Sequence, residues 1–257
     1  MADDAVWYLE YHIALDRPGL LGDVASLIGM LSINIVTVSG VDRRRRGMII
    51  ECADPEKIDL LARFLHVMPN ITVTALRRPT LLDRLAIRHG RSIEQDARDR
   101  RTFRFLRSDL GILVDFLGEI LKIDGHQLIG VRGAPRVGKT EAAVAACVYA
   151  NKRWTVISST LIRQTMRTDL AAYERESEAV FLIDALVTYY RGSEEHQAFV
   201  RELMGLPKAK IIEHPDVFVH ETEYTWKDFD YIIEIRNAPD EEITYDLMQL
   251  RERMGDY

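Results

Sequence analysis

The stretch of sequence that decides the fold reads LIGVRGAPRVGKTEAAVAACVY and runs from Leu128 to Tyr149. Its first four residues are apolar enough for a buried strand, and its last nine have the composition of a helix. Between them lies the loop Gly133–Thr140, which reads Gly-x-x-x-x-Gly-Lys-Thr. This pattern, placed between a strand and a helix, predicts a phosphate-binding loop.

The residue types in this loop suit a nucleoside triphosphate. Gly133 and Gly138 can adopt backbone angles that turn successive N–H groups toward one point. Lys139 carries a charge that fits between the β- and γ-phosphates, and Thr140 offers a hydroxyl to Mg²⁺. ATP or GTP with Mg²⁺ is therefore the predicted ligand. The residues predicted to contact it are Gly133, Ala134, Pro135, Arg136, Val137, Gly138, Lys139 and Thr140.

A second apolar run, Ala179–Asp184, ends in a carboxylate and predicts a buried strand. We expect Asp184 to bind Mg²⁺ together with Thr140, because a carboxylate at the end of such a strand commonly holds the metal beside a phosphate-binding loop. Lys139 and Asp184 are the predicted catalytic residues, and Glu213 is an alternative to Asp184 as general base. Phosphoryl transfer also needs cations around the transferred group. The candidates for this role are Arg136, Arg163, Arg191, Arg251 and Arg253.

Residues 1–80 alternate between the periodicities of strands and helices. Four apolar or β-branched runs predict strands, and two segments with apolar residues at helical spacing predict helices. The predicted strands are Val6–Leu15, Ile33–Val41, Met48–Cys52 and Ile71–Leu76. The order strand, helix, strand, strand, helix, strand predicts an α+β domain of the ferredoxin-like kind, with an antiparallel sheet and both helices on one face.

The turn after the first strand, Asp16–Leu21, reads Asp-Arg-Pro-Gly-Leu-Leu, and Ile33-Asn34-Ile35 begins the second strand. Together these residues resemble an ACT domain, the regulatory module of many proteins of amino-acid metabolism. Such a turn exposes backbone N–H groups that can hold a carboxylate, and Asn34 offers a donor and an acceptor. The resemblance implies an amino-acid effector and a homodimer formed through the sheets; the alternative is that Asp16 and Asn34 only shape turns. The predicted effector-binding residues are Asp16, Arg17, Pro18, Gly19, Leu20, Leu21, Asn34 and Ile35.

Residues 109–257 resemble the small-molecule and nucleoside monophosphate kinases, which implies an α/β P-loop domain with a mostly parallel sheet. Val156–Arg163 resembles the strand that leads into their substrate-site helix, and Phe181–Asp184 resembles their third strand. Phe229–Ile235 resembles their fourth strand. Two departures put base specificity and phosphoryl transfer in question. Asp184 is followed by Ala-Leu-Val-Thr instead of Gly-Phe-Pro-Arg, and the chain ends too early for a lid and a fifth strand.

Residues 81–108 contain eight arginines and four acidic residues, with one glycine and no proline. This composition predicts a charged, solvated helical connector between a domain of residues 1–80 and one of residues 109–257. The formal net charge of −6 gives no overall attraction to nucleic acid or to anionic membranes, so neither is a predicted partner. The start of the chain lacks a cationic and apolar leader, and no apolar run has membrane-spanning length, which predicts a cytoplasmic protein.

Two functions fit these observations. In the first, the protein is an NTPase or a kinase-like phosphotransferase whose activity an amino acid regulates through residues 1–80. In the second, it is a non-catalytic sensor of nucleotide and amino acid, and a protein partner reads its conformation. The combination of an ACT-like and a kinase-like P-loop domain resembles an uncharacterised bacterial family of unassigned function, which implies the architecture and no reaction.

Overall fold

The computed structural model describes residues 5–91, 93–159 and 165–244. The chain divides into two compact units, Met1–Ile93 and Glu94–Tyr257, which we call unit 1 and unit 2. Among the described residues, no helix has both the length and the apolar character needed to cross a membrane.

The described part of unit 1 contains four strands and three helices. In chain order they are β1 (Val6–Ile13), α1 (Leu20–Met30), β2 (Asn34–Gly40), β3 (Arg45–Glu51), α2 (Pro55–His66), β4 (Ile71–Arg77) and α3 (Leu81–His89). The strands form an antiparallel sheet in the order β2-β3-β1-β4. The first six elements therefore follow the order that the periodicities predicted.

The two faces of the unit 1 sheet pack against different helices. Leu9 and Tyr11 of β1 lie in one core with apolar residues of α1 and α2. Tyr8, whose side chain points to the opposite face, packs with Ile49 of β3 and Ile87 of α3. Because successive side chains of a strand alternate between faces, α1 and α2 share one face and α3 covers part of the other.

Unit 2 is a mixed α/β unit built on a seven-stranded sheet. In chain order its described elements are β5 (Glu94–Gln95), β6 (Thr102–Leu106), α4 (Leu110–Leu121), β7 (Gln127–Gly133), α5 (Lys139–Tyr149), β8 (Trp154–Ser158), α6 (Ala172–Glu176), β9 (Val180–Asp184), α7 (Ala185–Tyr190), α8 (Glu194–Met204), β10 (Ala209–Glu213), α9 (Pro215–Glu221) and β11 (Tyr231–Arg236). The strand order is β5-β6-β11-β7-β10-β9-β8. Every neighbouring pair is parallel except β5 with β6.

Helices cover both faces of this sheet. Phe116 of α4 packs on Phe103 and Phe105 of β6, with ring centroids 4.7 and 5.5 Å apart, and α4 packs against α5. On the other face, residues of α7, α8 and α9 share a core with Leu128 of β7 and Ile212 of β10. The connections after the adjacent strands β7 and β10 thus leave toward opposite faces. In an open parallel sheet, the carboxyl ends of two such strands are the expected place for a ligand.

Residues 81–108 are not the solvated helical connector that their composition predicted. α3 begins with a capping box between Thr80 and Asp83, and it buries Leu85 and Ile87 within unit 1. Farther along, β6 is an interior strand of unit 2. The composition was misleading because the guanidinium of Arg104, between two buried phenylalanines, forms ion pairs with carboxylates of unit 2 and is not a solvated charge.

Strand β10 was not predicted from the sequence, and it changes the strand count. Counted from β7, Tyr231–Arg236 is the fifth strand and not the fourth. A fifth strand, for which the chain was expected to be too short, is therefore present. The pattern of β10 was obscured by Lys210 in its middle. This lysine is fully buried because its ammonium donates to the carbonyls of Leu206 and Lys208 at 2.5 and 2.9 Å.

The chain after β8 also departs from the prediction of a substrate-site helix. Residues 157–159 pair in the antiparallel sense with residues 165–167, and we call this pair of segments the β8 hairpin. Its backbone hydrogen bonds, both 3.0 Å, run from the N–H of Ser159 to the carbonyl of Thr165 and from the N–H of Arg167 to the carbonyl of Ile157. Residues 160–164, with Arg163, and residues 245–257, with Arg251 and Arg253, lie outside the described residues.

Candidate functional site

The loop between β7 and α5 requires glycine at both glycine positions of the Gly-x-x-x-x-Gly-Lys-Thr pattern. Gly133 has a φ of +150°, and a Cβ there would lie 2.7 Å from the carbonyl oxygen of Ile235. Gly138 has a φ of +109°, and a Cβ there would lie 2.9 Å from Cδ1 of Leu110. Both positions combine left-handed backbone with a close neighbour, so any larger residue strains the loop.

The remainder of the loop forms a tight turn with an exposed tip. The N–H of Val137 donates to the carbonyl of Ala134 at 3.3 Å, and the Val137 side chain is buried. Pro135 and Arg136 are exposed, and Arg136 has a φ of +63°. The tip of the loop is therefore exposed, while the apolar side chain of Val137 anchors it to the unit.

Lys139 is held inside the loop. Its side chain is only 6% exposed, and its ammonium donates to the carbonyls of Gly133 and Ala134 at 2.9 and 3.0 Å. Burial lowers the pKa of Lys139, while the carboxylates of Glu213 and Asp184 act in the opposite direction. The ammonium thus lies beside the peptide groups that the sequence predicted to surround the phosphates.

Thr140 contacts Glu213, which the sequence predicted only as an alternative general base. Its hydroxyl donates to Oε1 of Glu213 at 2.6 Å, and both side chains are buried. Burial raises the pKa of Glu213 to about 7, with repulsion from Asp184 adding to the effect, while Thr140 and Lys139 oppose it. A signal for Glu213 was present, because Ile211-Ile212-Glu213 is an apolar run ending in a carboxylate, as at Asp184.

Asp184 lies at the end of β9, and β10 separates it from the strand of the loop. The register places Glu213 opposite Asp184 on one side and opposite Val131 of β7 on the other. Asp184 also has a structural role, because its Oδ1 accepts the N–H groups of Leu186 and Val187 at 3.0 and 3.3 Å and so caps α7.

The side chains at this edge of the sheet fit Mg²⁺. Thr140, Glu213 and Asp184 offer hydroxyl and carboxylate oxygens, which are the ligands that this cation prefers. In the described part of the chain, no group of three or more His, Cys, Asp and Glu side chains is arranged to hold a metal. A set of two carboxylates and a hydroxyl suits Mg²⁺, which characteristically completes its shell with water and phosphate oxygens.

His214 follows Glu213 in an unusual backbone conformation. Its φ of 57° and ψ of 55° are left-handed, and the next residue is Pro215, which ordinarily excludes helical geometry before it. Burial lowers the pKa of His214 to about 3, and the Lys139 ammonium acts in the same direction, so the imidazole is neutral at physiological pH. Backbone strain of this kind concentrates at functional sites. No sequence signal identified His214.

Arg132, the residue before Gly133, links the loop to two other elements. Its guanidinium donates to both carboxylate oxygens of Asp216 in α9, at 3.0 and 2.6 Å, and to Oε1 of Glu234 in β11 at 3.0 Å. No pattern in the sequence indicated this contact. Of the candidate arginines, Arg136 is at the exposed loop tip and Arg191 follows α7.

In unit 1, the residues predicted to bind an effector are mostly at the surface. Gly19 begins α1 with a φ of +85°, and Arg17 forms an ion pair with Asp23 of that helix. Leu20 is buried in the core, so its side chain has a packing role. The exposed members of the predicted set are Asp16, Arg17, Pro18, Gly19, Leu21 and Asn34, and Ile35 is half-buried.

Comparisons with known proteins show similarity to an uncharacterised relative, to one solved structure and to a protein family. The uncharacterised protein YmfK of Bacillus subtilis (strain 168) is 58% identical over 240 residues, which cover 93% of this chain and 89% of that protein. A solved structure of phospho-2-dehydro-3-deoxyheptonate aldolase (DAHP synthase) from Thermotoga maritima aligns over 98% of this chain and 97% of its own, at 12% identity and a TM-score of 0.23. That score is too low for the likeness to carry an argument. Residues 73–256 match one family, and the chain therefore belongs to the family described as Protein of unknown function (DUF3388).

Proposed function

We propose that unit 2 binds a nucleoside triphosphate, ATP or GTP, with Mg²⁺ at Gly133–Thr140, and that it transfers or hydrolyses the terminal phosphate as an NTPase or kinase-like phosphotransferase. The observation that carries the proposal is the buried contact of Thr140 with Glu213, beside Lys139 and at the edge of the sheet where a ligand is expected. A hydroxyl and an ammonium from the start of α5 are thereby brought together with a carboxylate from the end of β10.

The residues of this site have separable roles in the proposed reaction. Backbone N–H groups of the loop would hold the phosphates, and Lys139 would neutralise charge between the β- and γ-phosphates. Thr140, Asp184 and Glu213 would hold Mg²⁺, which neutralises charge on the transferred group. As an alternative to holding Mg²⁺, Glu213 would accept a proton from an attacking hydroxyl or water, because a base works best when its pKa lies near the working pH.

Thermal unfolding of the full chain with Mg·ATP, with Mg·GTP and without nucleotide tests the binding. At a hundred times Kd the ligand stabilises the folded state by about 2.7 kcal/mol, which for a unit of this size raises Tm by roughly 5–10 °C. Lys139→Met removes the charge and is expected to abolish the shift, while Lys227→Met, at an exposed lysine, retains it. A parent protein that shows no shift with either nucleotide refutes the proposal.

A non-catalytic sensor of the same nucleotide is the second candidate, and the contacts of Arg132 favour it. Through Asp216 and Glu234 this residue ties the start of the loop to α9 and β11, so a ligand at the loop has a path to the surface of unit 2. Release of phosphate from Mg·ATP or Mg·GTP distinguishes the candidates. A thermal shift without phosphate release, across a panel of acceptor molecules, favours the sensor.

For unit 1 we propose an ACT-like domain that binds a free amino acid. The support is the order of its six elements, the exposed turn at Asp16–Gly19 and the left-handed Gly19 at the start of α1. A panel of the twenty amino acids, tested by thermal shift, is expected to contain one that stabilises the protein. Asn34→Ala should weaken its binding, and Thr37→Ala, an exposed residue of the same strand, should not.

We also propose that the protein forms a homodimer through unit 1. β2 pairs only with β3 in the described sheet, and its Val36 and Val38 are 56% and 42% exposed. A strand edge with exposed apolar side chains readily pairs with a second copy. Light scattering after size-exclusion chromatography should give twice the mass of the chain, and Val38→Glu should give the monomer mass. A monomeric parent protein contradicts this proposal.

A further inference from the structure

A chain of buried hydrogen bonds in unit 2 connects the end of β9 to the β8 hairpin. The N–H of Asp184 donates to Oγ of Ser158 at 2.9 Å, and this oxygen lies 2.9 Å from Oγ1 of Thr188 in α7. Thr188 Oγ1 lies 3.2 Å from Nε2 of His196 in α8. The other ring nitrogen, Nδ1, lies 2.6 Å from the carbonyl oxygen of Arg167.

The chemistry of these groups fixes the direction of the outer bonds. A carbonyl oxygen only accepts, so Nδ1 of His196 must carry the proton that it shares with Arg167. In the neutral ring Nε2 is then the acceptor, and Thr188 must donate to it. The hydroxyl of Thr188 then accepts from Ser158, whose Oγ accepts the N–H of Asp184. Oγ of Ser158 also lies 3.0 Å from the carbonyl oxygen of Asp184, so its one proton is within reach of both Asp184 and Thr188. With Ser158 donating to Thr188, every link has a donor and an acceptor, and we call this series the His196 relay.

The relay lies in a place where polar groups are costly. Ser158, Thr188 and His196 are 2%, 0% and 1% exposed, and His196 is carried by the helix whose Phe199 and Val200 belong to the apolar core. A buried polar chain costs free energy unless each member is satisfied, and a satisfied chain fixes one arrangement of the elements that it joins. Apolar side chains would fill the same space without fixing that arrangement.

The turn between α7 and α8 allows Thr188 and His196 to approach each other closely. A Cβ on Gly192 would lie 2.3 Å from the carbonyl oxygen of Thr188 and 2.7 Å from Cδ2 of His196. Only glycine allows the imidazole to reach the threonine hydroxyl at this position. The relay therefore depends on glycine at position 192 as well as on its own side chains.

The two ends of the relay are the reason to assign it a role beyond packing. One end is the backbone of Asp184, whose carboxylate is among the candidate ligands of Mg²⁺. The other end is Arg167, whose N–H closes the β8 hairpin on the carbonyl of Ile157. Groups that hydrogen-bond behind metal ligands fix their orientation, and their loss commonly weakens metal binding 10- to 100-fold.

We infer that His196 is a positioning residue: through Thr188 and Ser158 it couples the β8 hairpin to the strand end that carries Asp184, and so sets the geometry of Mg²⁺ binding. The inference rests on the proposed function of unit 2, because the metal site is defined there. It assigns no chemical step to His196.

Thr188→Val tests the relay, because it replaces the hydroxyl by a methyl group of nearly the same volume, and Thr188→Ser is the matched control that keeps the hydroxyl. The measurement is the Mg²⁺ concentration that gives half of the thermal shift caused by ATP, or by GTP if its shift is larger. We expect this concentration to rise about 10-fold or more in Thr188→Val and to stay near the parent value in Thr188→Ser. A purely structural role would lower Tm equally at every Mg²⁺ concentration and leave the half-saturating concentration unchanged, which overturns the inference.

Amide hydrogen exchange without any ligand separates failure of this inference from failure of the nucleotide proposal. In Thr188→Val the relay predicts faster exchange at both ends, at the N–H of Asp184 and at the N–H of Arg167, and the parent rates in Thr188→Ser. Acceleration at one end alone overturns the coupling, whether or not nucleotide binds. Ser158→Ala interrupts the relay at its other side and should produce the same two-ended change, so it serves if Thr188→Val does not fold.

Discussion

Glu213→Gln is expected to stabilise the protein at alkaline pH while it removes function. The substitution keeps the shape of the side chain and an oxygen that can accept from Thr140, but it cannot ionise. In the folded protein the pKa of Glu213 is raised from 4.5 to about 7 by burial and by Asp184. Each pKa unit is worth about 1.36 kcal/mol, so ionising this carboxyl in place costs the folded state roughly 3 kcal/mol.

The sign of the pH dependence follows from the two pKa values. Because the folded state holds the Glu213 proton more tightly than the unfolded state, the parent has its full stability from this group below pH 4.5 and loses it as pH rises through about 7. The free energy of unfolding of Glu213→Gln should therefore exceed that of the parent by about 3 kcal/mol at pH 8 and by less than about 1 kcal/mol at pH 5. In Tm, the gain at pH 8 corresponds to roughly 6–12 °C.

Urea unfolding of the full chain at pH 5, 6, 7 and 8 measures this difference. Glu176→Gln, at an exposed glutamate of α6, is the control and should differ from the parent by the same small amount at every pH. A difference at Glu213 that stays flat across this range refutes the argument that the carboxyl is desolvated beside Asp184. The same variant should lose phosphate release with Mg·ATP and Mg·GTP, since its amide is a poor metal ligand and no base.

Further substitutions test the packing and the site. Gly118→Ala in α4 should cost about 1–3 kcal/mol, because the new Cβ would lie 2.2 Å from Cδ1 of Tyr149; Gly111→Ala, in the same helix with open space around it, should stabilise by up to about 1 kcal/mol. Urea unfolding distinguishes the two. Thr80→Ala removes the capping box of α3 and should cost about 1 kcal/mol of unit 1 stability by the same measurement. Asp184→Asn keeps an oxygen that can cap α7, so Tm without nucleotide should change little. The Mg²⁺ concentration that gives half of the nucleotide-induced thermal shift should rise at least about 10-fold.

Elements with strong local patterns were predictable from the sequence. The strand Val6–Leu15 was expected and Val6–Ile13 is found. α2 begins at Pro55 and Asp54 caps it, and an Asp-Pro pair at this place is a start signal that the sequence shows directly. The special backbone conformations of Gly133 and Gly138 were equally predictable. Their φ of +150° and +109° are conformations for which the residue type itself is the signal.

Elements that depend on distant partners were not predictable in the same way. Lys210 gives the segment of β10 a polar pattern, and only the structure shows the carbonyls to which its ammonium donates. Arg104 makes β6 look like a solvated segment until Glu234, far away in the sequence, is placed beside it. A charged residue has no periodicity that distinguishes a paired, buried position from a solvated one.

The sequence by itself determined the chemistry of the loop: two glycines, a lysine and a threonine between a strand and a helix, with a carboxylate at the end of another apolar strand. Only the tertiary structure decided which side chains meet there. The order β11-β7-β10-β9 places Glu213 between Thr140 and Asp184 and brings His214 into the field of Lys139. Strand order depends on how helices pack across both faces of the sheet, and no local sequence pattern contains that information.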